Sequence, residues 1–137
     1  MKIDLEKIGG NVEYAESEIA TIYLINNKPL FARKADVVFP TLGFDDIVTV
    51  LPQIVVNMGA VPHVCNGADV MAPGVVKIDG AFGRDYFVVV VDEQHRKPLA
   101  VGIALYDIET TKNLKHGKII KNVHYVGDKL WHLLRKL

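Results

Sequence analysis

The strongest constraint in this sequence lies downstream of Gly74, where short apolar and β-branched runs recur with turn residues between them. The runs are Val75, Val76 and Ile78; Tyr86 to Asp92; Leu99 to Tyr106; Ile119 to Tyr125; and Leu130 to Leu134. Asp79-Gly80, Gly83-Arg84, Glu93 to Lys97 and Gly127-Asp128 punctuate them. Runs so spaced read as strands of a small barrel. Five or six short strands plus one helix exclude a doubly wound sheet and place the chain in the α+β class.

Upstream of the barrel pattern stands NGADVMAPGV, Asn66 to Val75. Asn57 is placed to cap a short helix running to about Asn66, and Gly67 to end it in the left-handed conformation that glycine permits. Pro62 requires that helix either to start late, with the proline in its first turn, or to be distorted there. Two glycines around Asp69, Met71 and Pro73 turn a corner by default. The same glycines let a backbone approach a phosphate or base edge, and a nest of amides beside a helix favours anions.

The N-terminal part reads differently. Ala20 to Val38 has the pattern of a hairpin, with Asn26-Asn27 supplying residues that tolerate positive φ. Thr41 is a candidate N-cap for a helix over about 42–50, in which Phe44, Ile47, Val48 and Leu51 recur at helical spacing before Pro52. Gln53 to Val56 reads as a short strand or linker. A division near Asn57 gives two parts, residues 1–58 and 59–137, within the range of roughly 50 to 200 residues for a domain.

Half of the 137 residues are apolar and 23% are charged, so the chain can bury enough surface to offset its ordering entropy. No apolar run is long enough to span a bilayer, and Met1 opens no secretory signal, so a cytoplasmic address is expected and no membrane partner. A single cysteine, Cys65, agrees with that compartment.

Sixteen basic and sixteen acidic residues cancel, yet their distribution is uneven. Residues 1–58 and 59–111 each carry a net charge of −3, and residues 112–137 carry +6. That last stretch, with Lys115, Lys118 and Lys121 at its centre, reads either as the solvated lysines of an edge strand or as an anion-facing surface on an acidic body.

Catalytic chemistry is not legible. Phosphate-binding, nucleotide-fold, nucleophile-elbow and zinc-protease motifs are all missing. His63 and Cys65, two apart on a helix, point to different faces, and they do not make a metal set without further ligands. Cys65 reads as a small core residue. Paired acids at Asp45/Asp46, Glu16/Glu18 and Asp92/Glu93 are accounted for by capping and solvation. His95-Arg96-Lys97 reads as a solvated hairpin tip, and Trp131 as core. No cofactor, metal or catalytic residue is expected.

Taken in order, GADVMAPGV (67–75), GRDYFVVVV (83–91), PLAVGIALYD (98–107) and HGKIIKNVHYVGDKLW (116–131) resemble a PUA domain, the RNA-binding pseudobarrel named for pseudouridine synthases and archaeosine transglycosylases. VFPTL (38–42) ahead of LPQIVVNMGAVPHVCNGADVMAPG (51–74) is similar to the pre-PUA plus PUA arrangement of the malignant T-cell-amplified sequence family, of ligatin and of their stand-alone archaeal relatives. The short N-terminus resembles the archaeal members.

The resemblance implies a small α/β pre-PUA domain followed by a PUA pseudo-β-barrel. It also implies RNA binding without catalysis, on tRNA or small-subunit ribosomal RNA, in translation initiation or ribosome recycling. The family holds RNA with its first helix, the following loop and part of the last strand. Carried over, these are Ala60, Val61, His63 and Val64 of the helix and Gly67, Ala68, Asp69, Val70, Met71, Ala72, Pro73 and Gly74 of the loop; the basic C-terminal stretch adds Lys115, Lys118 and Lys121 by its charge. Pro62 and Ile119 depart from the family pattern, Ile119 standing where the second glycine of a G-K-G turn is usual. Two other roles fit the same residues: the targeting subunit of an RNA-modifying enzyme, and a protein-interaction module whose N-terminal half docks a partner with an initiation-factor-like domain.

Overall fold

The computed structural model describes residues 11–137, and the first ten residues of the expected N-terminal part lie outside the described residues. Two sheets carry the fold. The first is an antiparallel meander of β1 (Val12–Glu16), β2 (Thr21–Ile25), β3 (Lys28–Lys34) and β4 (Val37–Pro40). Asn26 and Asn27 join β2 to β3 with φ of 51° and 69°, the positive values that a two-residue turn needs to match strand twist. The hairpin anticipated from sequence is therefore the centre of this sheet, with β1 and β4 added on its flanks.

A short helix α1 (Ile47–Val50) follows, shorter than the helix expected over 42–50. Thr41 does not cap it. Its hydroxyl donates to Pro29 O (2.7 Å) and accepts from Gly43 N (3.1 Å), which commits residues 41–43 to a turn that pins β4 to β3.

The second sheet has six strands in the order β6-β10-β9-β8-β5-β7. These are β5 (Gln53–Val56), β6 (Val70–Met71), β7 (Val75–Asp79), β8 (Phe87–Asp92), β9 (Pro98–Ala104) and β10 (Lys118–Tyr125), all antiparallel except for the parallel pair β5 and β8. Gln53 to Val56 is thus a full strand of this sheet, and the division expected at residues 58 and 59 falls after it. Helix α2 (Val61–Val64) connects β5 to β6, and a 3-10 turn, Ala72–Gly74, connects β6 to β7.

Strand β8 explains how the two sheets share one molecule. All six of its residues are buried and the first five, Phe87 to Val91, are apolar, a continuous apolar run in place of polar alternation. Phe87, Val89 and Val91 pack with Ile22, Ala32 and Phe39 of the first sheet. Val88 and Val90 face the other way, into a second core with Ile54, Val64, Val70 and Ile120. One side of the strand docks the N-terminal sheet, and the other supports α2 and the segment after it.

Two helices overturn or extend the expectation. Leu130 to Leu134, expected as a strand, lies in α4 (Lys129–Leu134), because Asp128 Oδ1 accepts from Trp131 N at 2.6 Å and so caps a first turn. Trp131 is half-buried on this helix, not core, with the Arg135 guanidinium 4.6 Å from its ring centroid. Helix α3 (Ile108–Asn113) was not anticipated; Asp107 caps it by accepting from Thr110 N at 2.8 Å.

The His95-Arg96-Lys97 tip is less free than a solvated turn. Asp92 accepts backbone N–H bonds from His95 (2.6 Å), Gln94 (2.9 Å) and Lys97 (3.1 Å). The bond from His95 is the foremost reason its carboxyl titrates below the usual range. Arg96 reaches back to Asp79 Oδ2 (2.9 Å) and Gln53 Oε1 (3.1 Å). That guanidinium ties the tip to β5 and β7 instead of offering itself to a partner.

Candidate nucleic-acid interface

The site grows from the end of α2. Pro62 sits in the first turn of that helix, where a missing N–H costs nothing. Asn57 prepares the entry, its Oδ1 accepting from Ala60 N at 2.9 Å. At the exit Gly67 has φ +92°, Gly67 N donates to Val64 O (3.1 Å) and Ala68 N to His63 O (3.0 Å). This paired closure is the Schellman motif, which glycine adopts without strain. A Cβ at Gly67 would also stand 3.1 Å from Tyr125 Cε1, so Tyr125 closes the back of the turn.

The loop that follows is clamped at both ends. Asn122 Nδ2 donates to Val64 O and Ala68 O, each at 3.0 Å, and Asn122 N donates to Asp69 Oδ1 at 2.8 Å. Val70 and Met71 then pair with Ile120 and Lys118 of β10. Ala72 N donates to Gly117 O (2.8 Å), and Asn57 N donates to Gly74 O (2.9 Å). Because the amides of Gly67, Ala68 and Ala72 are bonded within the chain, they do not form the anion-binding nest that the glycine spacing suggests.

Between α2, the loop and β10 lies an open groove of about 740 Å³. His63 and Val64 of α2, Gly67 to Met71, Pro73 and Gly74 of the loop, and Lys118 of β10 line it, together with Asn57 and Ala60. Its walls are largely apolar, with Met71 44% exposed and Ala68 and Pro73 also exposed. Val61, Ala72, Lys115 and Lys121 do not line the groove. Lys115 and Lys121 are exposed elsewhere on the surface, so of the three basic residues singled out only Lys118 joins the loop.

Lys118 Nζ lies 3.4 Å from Asp69 Oδ2, its side chain 63% exposed. An exposed pair of this kind holds little energy, so the ammonium remains available to an incoming anion. Asp69 has a second duty, since its other oxygen holds Asn122 N.

Asn122 and Tyr125 carry no signal in the sequence, and Asn57 shows there only as the helix cap that it is. Asn122 holds the loop and Asn57 lines the groove, but a lone asparagine within a strand carries no signal of contacts to residues 53 to 58 positions away. Asn122→Ala would leave the carbonyls of Val64 and Ala68 without their donor while keeping the backbone bond to Asp69. It is expected to lower stability by about 1–3 kcal/mol and to raise hydrogen exchange at the amides of Gly67 and Ala68, read by denaturation and exchange measurements.

His63 is exposed in the groove while Cys65 packs toward the second core, on different faces as their spacing requires. Burial pushes the Cys65 thiol above its ordinary pKa, which disfavours the thiolate. Among the described residues no group of three or more His, Cys, Asp or Glu is placed to hold a metal ion. Among the same residues no helix is long and apolar enough to cross a membrane.

Comparison with known proteins adds the following. Residues 52–126 match the PUA domain family, and residues 2–44 match a domain of unknown function, DUF1947. An uncharacterised protein of Methanocaldococcus jannaschii is 45% identical over 90% of this chain and 76% of its own length. Translation machinery-associated protein 20 of Eremothecium gossypii is 30% identical over 85% of this chain and 68% of its own. Malignant T-cell-amplified sequence 1 of Rattus norvegicus is 31% identical over 82% and 64%. The crystal structure of a PUA domain from Aeropyrum pernix, a tartrate complex, superposes with a TM-score of 0.80 at 26% identity, covering 90% of this chain and 73% of that one.

Proposed function

The chain belongs to the PUA-domain family, and from that premise we propose that it is a non-catalytic RNA-binding protein of the translation machinery, acting on tRNA or the small ribosomal subunit. The observation that carries this reading is the groove, in which an apolar wall and one available ammonium meet on a loop held rigid from behind. Unpaired bases are recognised by apolar and aromatic faces and phosphates by point cations, and the groove supplies the two side by side. Relatives whose name associates them with the translation machinery support the setting.

A variant carrying Lys115→Glu, Lys118→Glu and Lys121→Glu tests the charge half of the reading. The expected result is lost binding to tRNA and small subunits. Binding equal to that of the unaltered protein would sink it.

A second reading is favoured by one feature of the first sheet. Tyr14 on β1 is 67% exposed and lies between Glu13 and Glu16, both exposed as well. That acidic, aromatic edge suits a basic protein partner, in keeping with an initiation-factor-like protein docking on the N-terminal half. Copurified protein that survives nuclease treatment and is lost with Tyr14→Lys would favour it, and a yield unchanged by that substitution would reject it.

A further inference from the structure

Behind the groove, between β7 and α3, a smaller cleft of about 230 Å³ opens. Lys77 and Lys112 flank it, no carboxylate lines it, and Val76, Ile78 and Leu114 contribute apolar walls. Lys77 lies 3.7 Å from Asp79, an exposed pair, and among the described residues Lys112 has no carboxylate oxygen within 4.0 Å. Thr111 is already committed, its hydroxyl donating to Asp107 O at 2.7 Å. The cleft therefore presents two cations, Lys77 in a weak exposed pair with Asp79 and Lys112 with no carboxylate partner among the described residues.

Its position relative to the groove gives those charges a meaning. Ala72 borders the cleft, while Met71, Pro73 and Gly74 beside it border the groove. The Met71–Gly74 segment is thus a narrow ridge with the groove on one side and the cleft on the other. It is anchored by the Ala72 N to Gly117 O bond and leads to the turn that carries Lys115 and Lys118. A chain ligand lying in the groove has only to cross this ridge to reach Lys77 and Lys112.

We propose that the cleft between β7 and α3 is a backbone-phosphate subsite for the same RNA strand whose unpaired base occupies the groove, with Lys77 and Lys112 as its contacts. This rests on the groove reading and extends it from a one-nucleotide pocket to a path across the ridge. It also gives part of the basic C-terminal stretch a defined task. A free phosphate offers the same chemistry as the strand, and the length of the probe separates the two.

The test titrates the full chain with a uridine dinucleotide, a uridine octanucleotide and inorganic phosphate. Each is measured on the unaltered protein, on Lys77→Gln/Lys112→Gln and on Lys118→Glu, with thermal unfolding as the check of folding. The double variant is expected to weaken the octanucleotide about tenfold, to lower the slope of log affinity against log salt by about 0.7 per lysine, and to leave the dinucleotide unchanged. Inorganic phosphate is expected to compete only weakly at the cleft. Octanucleotide binding and salt slope unaltered in the double variant, while Lys118→Glu still weakens both oligomers, would overturn the cleft and spare the groove. Both oligomers binding Lys118→Glu as tightly as the unaltered protein would overturn the groove, and the path with it. Inorganic phosphate bound as tightly as the octanucleotide, and lost in the double variant, would assign the cleft to a small anion and reject the strand.

Discussion

Asp128→Ala is expected to cost about 2–4 kcal/mol of stability, about 1–3 kcal/mol for a buried imidazole left without its partner and the rest for a lost helix cap. His124 is fully buried, and its Nδ1 lies 2.8 Å from Asp128 Oδ2. The same oxygen accepts from Tyr125 N (3.0 Å), and Oδ1 accepts from Trp131 N (2.6 Å) as the N-cap of α4. One substitution thus strips a buried imidazole of its partner, uncaps a helix and frees the turn that carries Tyr125 toward Gly67. Loss of the cap alone accounts for about 1 kcal/mol. Denaturant unfolding measures the total, and a loss no larger than the cap would mean that the His124 contact contributes nothing.

The acid response of the same pair follows from its titration. Burial raises the Asp128 pKa, but the hydrogen bond and charge of His124, joined by the N–H groups of Trp131 and Tyr125, outweigh it and leave the carboxyl below its ordinary value. A carboxylate lowered on folding stabilises the native state above its unfolded pKa of about 3.9, and that contribution is lost as pH falls through the folded value. The difference in stability between the unaltered protein and Asp128→Ala should therefore be full at neutral pH and shrink below about pH 4. A difference that stays constant through that window would contradict the assignment.

The second large effect concerns binding. Lys118→Glu is expected to weaken RNA binding by about tenfold to a hundredfold, the equivalent of one charge-assisted contact at roughly 1.5–3 kcal/mol. It removes the groove's ammonium and sets a second carboxylate beside Asp69. Lys121→Glu, on the same strand but away from the groove, should act only through long-range screening and cost about threefold or less at physiological salt. Anisotropy titrations of both variants decide this, and equal losses at the two positions would point to a diffuse basic surface without a site.

Much of this was legible in the sequence, because the segments concerned announce themselves locally. Asn26-Asn27 between alternating residues gave the β2–β3 hairpin, and the positive φ at Gly67 is what a glycine after a short helix implies. The resemblance read from GADVMAPGV, HYVGDKLW and VFPTL agrees with the PUA match and with the relatives. In the structure the two distant segments meet: Phe39 of VFPTL and His124 of HYVGDKLW lie with ring centroids 6.1 Å apart.

What the structure changes or adds has physical causes. Leu130 to Leu134 is too short an apolar run to separate strand from helix by periodicity, and the deciding atom belongs to the carboxylate of Asp128, read there as part of a turn. Ile108 to Asn113 is mostly polar, with too few apolar positions to show a helical stripe. Lys115 and Lys121 stand beside Lys118 in the sequence, but charge density has no direction, and Lys118 alone of the three lines the groove. Only the pairing of β6 with β10 sets Lys118 opposite Met71. The glycine-loop amides were expected to face a ligand, and the helix closure consumes two of them.

Whether RNA occupies the groove between α2, the loop and β10 is decided most directly by a nuclear magnetic resonance titration of the full, isotopically labelled chain with a single-stranded RNA oligomer. RNA held there is expected to give saturable shifts concentrated at His63, at Gly67 to Gly74 and at Lys118, with little change on the N-terminal sheet. Saturable shifts confined to the N-terminal sheet, or none at concentrations where binding is detected by other means, would contradict that occupancy.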